Sequence, residues 1–292
     1  MREIRVFAPA KLNLYLDVLD RRPDGFHNIE TLFEKIDLKD EIIIKEKGKG
    51  INVKASLADC GQGRKNIVYK AVTELCKEAR ARLNLEIYIK KNIPISAGLG
   101  GGSSDAAAAL RAINKLFVLG INKARLFSIA RDVGKDTPFF MTDRAFCVGK
   151  GAGELLRPLD IKHLLFHIVV KPDISLSTRM MYKRIDRYNC LARRHSLQDA
   201  ISALKKNDIS LLEKSYYNAF ENTLARDSIY INRVKLMLFN AGAGHSLLSG
   251  SGASVFCTFK NRKEAETVFN RLPRRKGMNH FLVSTNKGDI WR

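Results

Sequence analysis

A period of two governs the first part of the chain. Residues 3–8, 11–19 and 28–38 alternate between apolar and polar positions or run apolar, and Arg22-Pro23-Asp24-Gly25 between them carries turn residues. Strands are expected there and again over 41–45 and 84–90. The spacing then lengthens to that of a helix, which predicts helices over 66–80, 103–117 and 122–132. Pro138 follows and should keep Thr137 extended. Gly149, Gly151 and Gly153 lead to Pro158, and a boundary is expected near 160, giving domains 1–160 and 161–292. The second part predicts a strand over 164–170, helices over 178–186, 196–205, 208–224 and 228–240, a strand over 253–259, a helix over 261–271 and a strand over 280–284. Strands mixed with helices in this order predict two α+β domains. There is no fixed-period repeat and no low-complexity stretch.

One segment interrupts the patterning. Pro94-Ile95-Ser96-Ala97-Gly98-Leu99-Gly100-Gly101-Gly102-Ser103-Ser104-Asp105 stands between a predicted strand and an alanine-rich helix. Glycines let backbone N–H groups approach a ligand and tolerate positive φ. A helix N-terminus adds free N–H groups and the positive end of a dipole. Together they predict a phosphate cradle, with Ser103 and Ser104 offering hydroxyls to phosphate or Mg²⁺ and Asp105 suiting the first helical turn. A flexible loop before a capped helix is the alternative. The string lacks the GK[ST] of a Walker A loop, and protein-kinase HRD and DFG strings are absent.

Composition narrows the classes. A chain of 292 residues with 45% hydrophobic content buries a sizeable core without disulfides or metals. Five scattered cysteines (Cys60, Cys76, Cys147, Cys190, Cys257) without CxxC spacing fit a reducing compartment and no structural zinc. No signal peptide is legible, and no apolar run approaches the ~20 residues of a membrane span, so a cytoplasmic protein is expected. His163, His167, His195, His245 and His280 show no metal-ligand spacing. The net charge of +21, from 51 Lys and Arg against 30 Asp and Glu, favours anionic partners without choosing among them. The basic residues are spread thinly, in clusters no longer than Arg193-Arg194 and Arg274-Arg275-Lys276.

The segment Pro94–Ala109 resembles the central phosphate-binding motif of the GHMP kinases, and its triple glycine most resembles the branch that phosphorylates 4-diphosphocytidyl-2-C-methyl-D-erythritol. Further strings stand in the matching order. Ala8-Pro9-Ala10-Lys11-Leu12-Asn13-Leu14 is similar to the N-terminal motif. Gly134-Lys135-Asp136-Thr137-Pro138-Phe139-Phe140 is similar to the branch's Gly-Ala-Asp-Val-Pro-Phe-Phe string, and Leu248-Ser249-Gly250-Ser251-Gly252-Ala253-Ser254 to the C-terminal motif. The resemblance spans most of the chain. It implies the two-domain GHMP kinase fold, with a ribosomal protein S5 domain 2-like N-terminal domain and a ferredoxin-like C-terminal domain. It also implies ATP with Mg²⁺, although no acidic cluster in the sequence is dedicated to the metal.

Roles follow from the same resemblance. Asp136 is expected to orient the acceptor hydroxyl and take its proton, with Lys11 favouring the developing alkoxide. Taken alone, Lys11 reads as a surface lysine and Asp136 as a cap or turn. Asn13 falls two positions along the strand from Lys11, on the same face, as a substrate contact. Pro94, Gly98, Leu99, Gly100, Gly101, Gly102, Ser103 and Ser104 are expected around the phosphates. Asn66 is expected beside the adenine, and it also suits an N-cap. Ser249, Gly250, Ser251 and Gly252 form a supporting loop that closes on the triphosphate, or else a plain hairpin turn.

Arg21-Arg22-Pro23-Asp24-Gly25-Phe26-His27 resembles the branch's Arg-Pro-Asp-Gly-Tyr-His string, in which the aromatic stacks on cytosine and the histidine reads the base edge. Asp24, Phe26, His27, Thr178 and Tyr182 are the resulting substrate residues, with Tyr182 the second aromatic. Core or helix-face packing is the alternative for Phe26 and Tyr182, and an ordinary strand position for His27. Phe26 keeps the stacking surface but lacks the usual phenol. Two further departures are Lys135, where a small residue is usual, and Ala219 in Asn218-Ala219-Phe220-Glu221, where the branch carries a carboxylate. The chain is expected to act as a monomer or homodimer. Competing readings are a GHMP kinase for another acceptor, such as homoserine or a mevalonate derivative, and an RNA-binding protein suggested by the charge. Against the second stand the missing RNP1-like string and the lack of aromatic–basic interleaving, so no specific nucleic acid is expected.

Overall fold

The computed structural model describes residues 2–188 and 196–287; Cys190, Arg193, Arg194 and His195, singled out above, lie outside the described residues. In chain order the elements begin with β1 (Glu3–Arg21), β2 (His27–Glu46), β3 (Ile51–Ala55), α1 (Ile67–Glu78), β4 (Leu85–Lys90), α2 (Gly101–Leu116), α3 (Lys123–Val133), α4 (Thr137–Met141), β5 (Phe146–Lys150) and β6 (Leu155–Leu159). They continue with β7 (Phe166–Pro172), α5 (Thr178–Tyr188), α6 (Leu197–Lys206), α7 (Ile209–Lys214), β8 (Tyr217–Asn218), α8 (Ser228–Asn240), β9 (Ser246–Leu248), β10 (Val255–Phe259), α9 (Arg262–Arg271) and β11 (Met278–Ser284).

The first strands are longer than their patterning suggests. The breaks in alternation are absorbed as register shifts near Pro9, Asn13 and Val18 within one antiparallel β1–β2 ribbon, as bulges allow. The two halves of β2 take different neighbours, β5 beside Thr31–Glu34 and β4 beside Glu41–Glu46. The large sheet runs β3-β4-β2-β1-β8, with the β5–β6 hairpin on the β2 edge. Of the glycines that precede the expected boundary, Gly149 lies in β5, and Gly151 and Gly153 form the turn of that hairpin with positive φ.

The second sheet runs β11-β7-β10-β9, antiparallel throughout. Period-two alternation divides its faces. Ile168, Val170, Val255 and Cys257 pack with Ile231, Val234 and Leu238 of α8 and Ala265 and Val268 of α9. Val169 and Phe256 face the other way, onto Ala10, Leu12 and Leu14 of β1 and Leu197, Ile201 and Leu204 of α6. The middle of β1 is therefore buried on both faces, and its polar residues there, Lys11 and Asn13, are buried too. On the large sheet lies α2, whose Ala106–Ala109 and Ala112 are small enough for it to sit fully buried against β1, α1 and α4.

Two expectations fail. The helix expected over 208–224 stops after Lys214. Tyr216 turns into the core, its hydroxyl hydrogen-bonded to Thr258, and Tyr217–Asn218 pairs parallel to Tyr15–Leu16. The Asn218 side chain then accepts from Phe220 N at 3.0 Å, starting a 3₁₀ turn over Ala219–Thr223. Thr137 is helical rather than extended: Pro138 sits in the first turn of α4, where a missing N–H costs nothing.

Lys35 joins β2 to the end of α4. Its buried Nζ donates to Thr142 O at 2.6 Å and Thr142 Oγ1 at 3.2 Å, and lies 5.2 Å from the Phe139 ring centroid. Burial pulls the ammonium down to about 8 from 10.5. Between those values the unfolded chain binds the extra proton, so stability rises with pH. Relative to Lys35→Met, the unmodified chain should gain of order 3 kcal/mol across that window, read from urea unfolding. A pH-independent difference would contradict a buried titrating amine.

Candidate active site

A cleft of about 1220 Å³ opens between the two sheets and takes residues from both halves of the chain. That exceeds the usual volume for one small ligand. At its floor is Lys11, held by β1. Its Nζ donates to Asn13 Oδ1 and lies 3.9 Å from Asp136 Oδ2. The Asn13 amide donates onward to Thr31 Oγ1 at 2.8 Å, and Thr31 donates to Tyr15 O at 2.7 Å. Alternation along β1 puts the apolar Ala10, Leu12 and Leu14 into the core and leaves Lys11 and Asn13 for the cleft. Burial lowers the Lys11 ammonium, opposed by the charge of Asp136. Asp136 stands at the cap position of α4, yet its carboxylate makes no capping hydrogen bond and remains 36% exposed. Lys11 is buried, so it is no surface lysine, while Asp136 does lie in the turn before Pro138 with its carboxylate left uncommitted to the cap.

The glycine string forms the wall above Lys11. Gly98 and Gly100 take φ of 73° and 71°, and α2 begins at Gly101. Each glycine is needed for space as well as for conformation. A Cβ on Gly100 would stand 2.9 Å from the Phe140 ring and 3.0 Å from Lys11 Cγ; one on Gly98 would meet Ser249 O at 2.0 Å. The C-terminal loop closes from the other side. Ser249 Oγ donates to Gly98 O at 3.1 Å, Ser254 N donates to Ala97 O at 3.2 Å, and a Cβ on Gly250 would stand 3.0 Å from Lys11 Nζ. This loop is braced from behind. The Asn218 amide donates to Leu248 O and Gly250 O at 2.7 and 2.8 Å, and Glu221 accepts from Leu248 N at 2.7 Å. Ala219 between them is buried, and the bracing is made by its neighbours Asn218 and Glu221.

The far end of the cleft is aromatic. His27 and Tyr182 stack at 5.1 Å, Tyr182 meets the edge of Phe220 at 5.0 Å, and His27 Nε2 bonds Asp186 Oδ1 at 2.7 Å. Burial, with Asp136 nearby, pushes the Tyr182 phenol up. Phe26 is 48% exposed, with Lys135 Nζ 4.4 Å from its ring centroid. The two aromatics expected to sandwich a base thus each face another group, Tyr182 facing His27 and Phe26 facing Lys135. Thr178 Oγ1 bonds Ser251 Oγ at 2.8 Å, linking α5 to the C-terminal loop.

Most predicted site residues line this one cleft: Lys11, Asn13, Phe26, His27, Asn66, Pro94, Gly98 to Ser103, Asp136, Thr178, Tyr182 and Gly250 to Gly252. Three stand behind it. Ser104 turns a buried, unpartnered hydroxyl inward. Asp24 holds the turn by accepting from Phe26 N and from Arg22. Ser249 braces Gly98. Asn66 caps α1 through Val68 N at 2.9 Å while still bordering the cleft.

Sequence reasoning missed a buried ionic triad under the glycine-rich loop. Lys91 Nζ contacts Asp40 and, at 2.6 Å, Asp105, and Asp40 also accepts from Asn92 N and Ile93 N. Burial and Asp40 push the Asp105 carboxyl up, with Lys91 opposing, and the two acids together keep the Lys91 ammonium up against its own burial. Nothing local marks this triad, since Asp40 and Lys91 are 51 positions apart.

Residues 66–148 match the GHMP kinases N terminal domain, and residues 200–277 match the GHMP kinases C terminal domain. The chain is 34% identical over 272 residues to a 4-diphosphocytidyl-2-C-methyl-D-erythritol kinase of Acetivibrio thermocellus, covering 93% of this chain and 95% of that protein. It is 35% identical over 267 residues to the protein of the same name from Syntrophomonas wolfei, covering 90% and 92%. A crystal structure of 4-(cytidine 5'-diphospho)-2C-methyl-D-erythritol kinase superposes with a TM-score of 0.83 at 29% identity, over 98% of this chain and all of that one.

Closure of the two loops predicts the cost of filling Gly98. Gly98→Ala should lose ~3 kcal/mol or more of stability and most nucleotide binding, measured by thermal unfolding and ADP titration. Full retention of both would contradict the loop contact.

Proposed function

This chain belongs to the GHMP kinase family, and we propose that it transfers the γ-phosphoryl group of ATP to the 2-hydroxyl of 4-diphosphocytidyl-2-C-methyl-D-erythritol, giving the 2-phosphate and ADP. The observation that carries the reading is the meeting, in one cleft, of a glycine-lined helix N-terminus, the Lys11–Asp136 pair and the His27–Tyr182–Phe26 aromatic end. A kinase for a small charged acceptor such as homoserine or mevalonate has no flat base to stack on the last of these. The product belongs to the non-mevalonate route to isoprenoid precursors, and the enzyme would act in the cytoplasm. No described helix is long and apolar enough to cross a membrane.

Phosphoryl transfer asks the protein mainly for alignment and charge. The Gly98–Ser103 backbone and the α2 N-terminus receive the phosphates, while Asn66 borders the nucleoside end. Asp136 orients the acceptor hydroxyl and takes its proton as the oxygen attacks phosphorus. Lys11 stabilises the alkoxide character that develops. Asn13 fixes the Lys11 ammonium, and the closed Gly250 loop keeps water off it. At the far end the base stacks on Phe26, faced by the His27–Tyr182 pair. Asp186 holds the proton on His27 Nε2, which leaves Nδ1 as an acceptor for the exocyclic amine of cytosine.

Mg²⁺ accompanies ATP and neutralises charge on the transferring phosphates. Among the described residues no cluster of three or more His, Cys, Asp or Glu could hold a metal alone. The Ser103 hydroxyl faces the cleft and would be the protein donor to an ion bound with the phosphates.

Asp136→Asn should lower kcat roughly a hundred- to ten-thousand-fold while leaving ADP affinity nearly intact; retention of most turnover would remove Asp136 from the chemistry. Phe26→Ala should raise KM for the cytidyl acceptor by about 5- to 100-fold, the worth of one stacked base, with kcat little changed. An unchanged KM would place the base elsewhere.

A further inference from the structure

Lys135 stands where the branch carries a small residue, and its position gives that departure a use. Its backbone is adjacent to Asp136, at the reacting end of the cleft, and its Nζ lies over the Phe26 ring at 4.4 Å. The residue therefore spans the interval between the base platform and the acceptor hydroxyl. A nucleoside diphosphate ester bound with its base on Phe26 and its hydroxyl at Asp136 must carry both phosphates through that interval.

Among the other cations at this end, Arg22 is paired with Glu154 at 3.2 Å and Asp24 at 2.8 Å, and Arg21 lies 4.0 Å from Asp186, while Arg179 and Lys183 line the cleft from α5, on the Tyr182 side. Lys135 meets the Phe26 ring and acts on Asp24 through space. A cation over a half-exposed ring is held less firmly than one bonded to a phosphate oxygen. The ring is also the surface that the base requires.

We propose that Lys135 is a specificity-determining residue for the diphosphate of the acceptor: it covers Phe26 in the free enzyme, yields the ring to the incoming base, and bonds the diphosphate that follows. This role presupposes the cytidine diphosphate acceptor of the preceding section. It predicts opposite effects on two fragments of one ligand. Losing the ammonium removes a contact to phosphate, so binding of cytidine 5'-diphosphate weakens. It also frees the ring, so binding of cytidine is unchanged or slightly tighter.

The test is calorimetric titration of the intact chain and of Lys135→Met and Lys135→Arg with cytidine, cytidine 5'-diphosphate and ADP. Methionine keeps the length of the stem without its charge. The expected result is about a 10- to 100-fold loss of cytidine 5'-diphosphate affinity in Lys135→Met, recovery of most of it in Lys135→Arg, and no change for cytidine or ADP. Equal losses for cytidine and its diphosphate would make Lys135 a prop for Phe26 and overturn the proposal. A loss confined to ADP would place the ammonium on the nucleotide donor and overturn it too, as would no loss at all. Failure of the unmodified chain to bind either cytidine ligand would instead strike the acceptor assignment itself, and this role with it.

Discussion

The Gly98 carbonyl and the Ser249 hydroxyl meet at 3.1 Å across 151 positions of sequence, directly above a buried lysine. At Gly98 only hydrogen fits, since a methyl would strike Ser249 O, and at Gly250, also at positive φ, a methyl would crowd the Gly98 carbonyl and the ammonium. One loop comes from the large sheet and the other from the small one. Their contact fixes how the two halves face each other, and so fixes the cleft. The bracing behind it has the same purpose: Asn218 and Glu221 satisfy the backbone of the C-terminal loop, which would otherwise carry unpaired polar groups in a buried place. The unexpected end of helix α7 follows from this need. The chain leaves helical geometry at Ser215 so that Asn218 can reach the loop.

Charge within the cleft is arranged around the same contact. A buried ammonium is costly unless it is paired. Lys11 has one neutral partner in Asn13 and one distant, partly exposed carboxylate in Asp136, and burial lowers its proton affinity with Asp136 opposing. An incompletely paired cation beside an accessible carboxylate is poised for charge that develops only during reaction. Lys91, by contrast, is fully paired with Asp40 and Asp105. It ties β2, the segment after β4 and the first turns of α2 together beneath the glycine-rich loop. One lysine faces the cleft incompletely paired and the other is locked by two carboxylates, and burial alone does not distinguish them.

Much of this was legible in the sequence because it is local. Period-two alternation put Lys11 and Asn13 on one strand face, and the glycine string followed by alanines announced a helix N-terminus with room for a ligand. The helices α1, α2, α3, α8 and α9 fall within two residues of their expected bounds. What escaped depends on distant partners. The Lys91 triad, the fit of Gly250 over Lys11 and the stacking of His27 on Tyr182 join residues dozens to hundreds of positions apart. β1 reads as two strands because a bulge at Pro9 resembles an end, and the short β8 is set only by its neighbour β1. Lys135 was visible as a departure, but its contact with Phe26 needed coordinates.

The central claim is that one cleft aligns ATP with the hydroxyl of a cytidyl diphosphate ester. The most direct test is ATP-dependent turnover by the purified chain with Mg²⁺ and 4-diphosphocytidyl-2-C-methyl-D-erythritol, with homoserine and mevalonate in parallel and products identified by mass. Phosphorylation of the cytidyl ester alone, with one phosphate added and ADP released, is the predicted result. Turnover of homoserine or mevalonate in its place, or of none of the three, would contradict it.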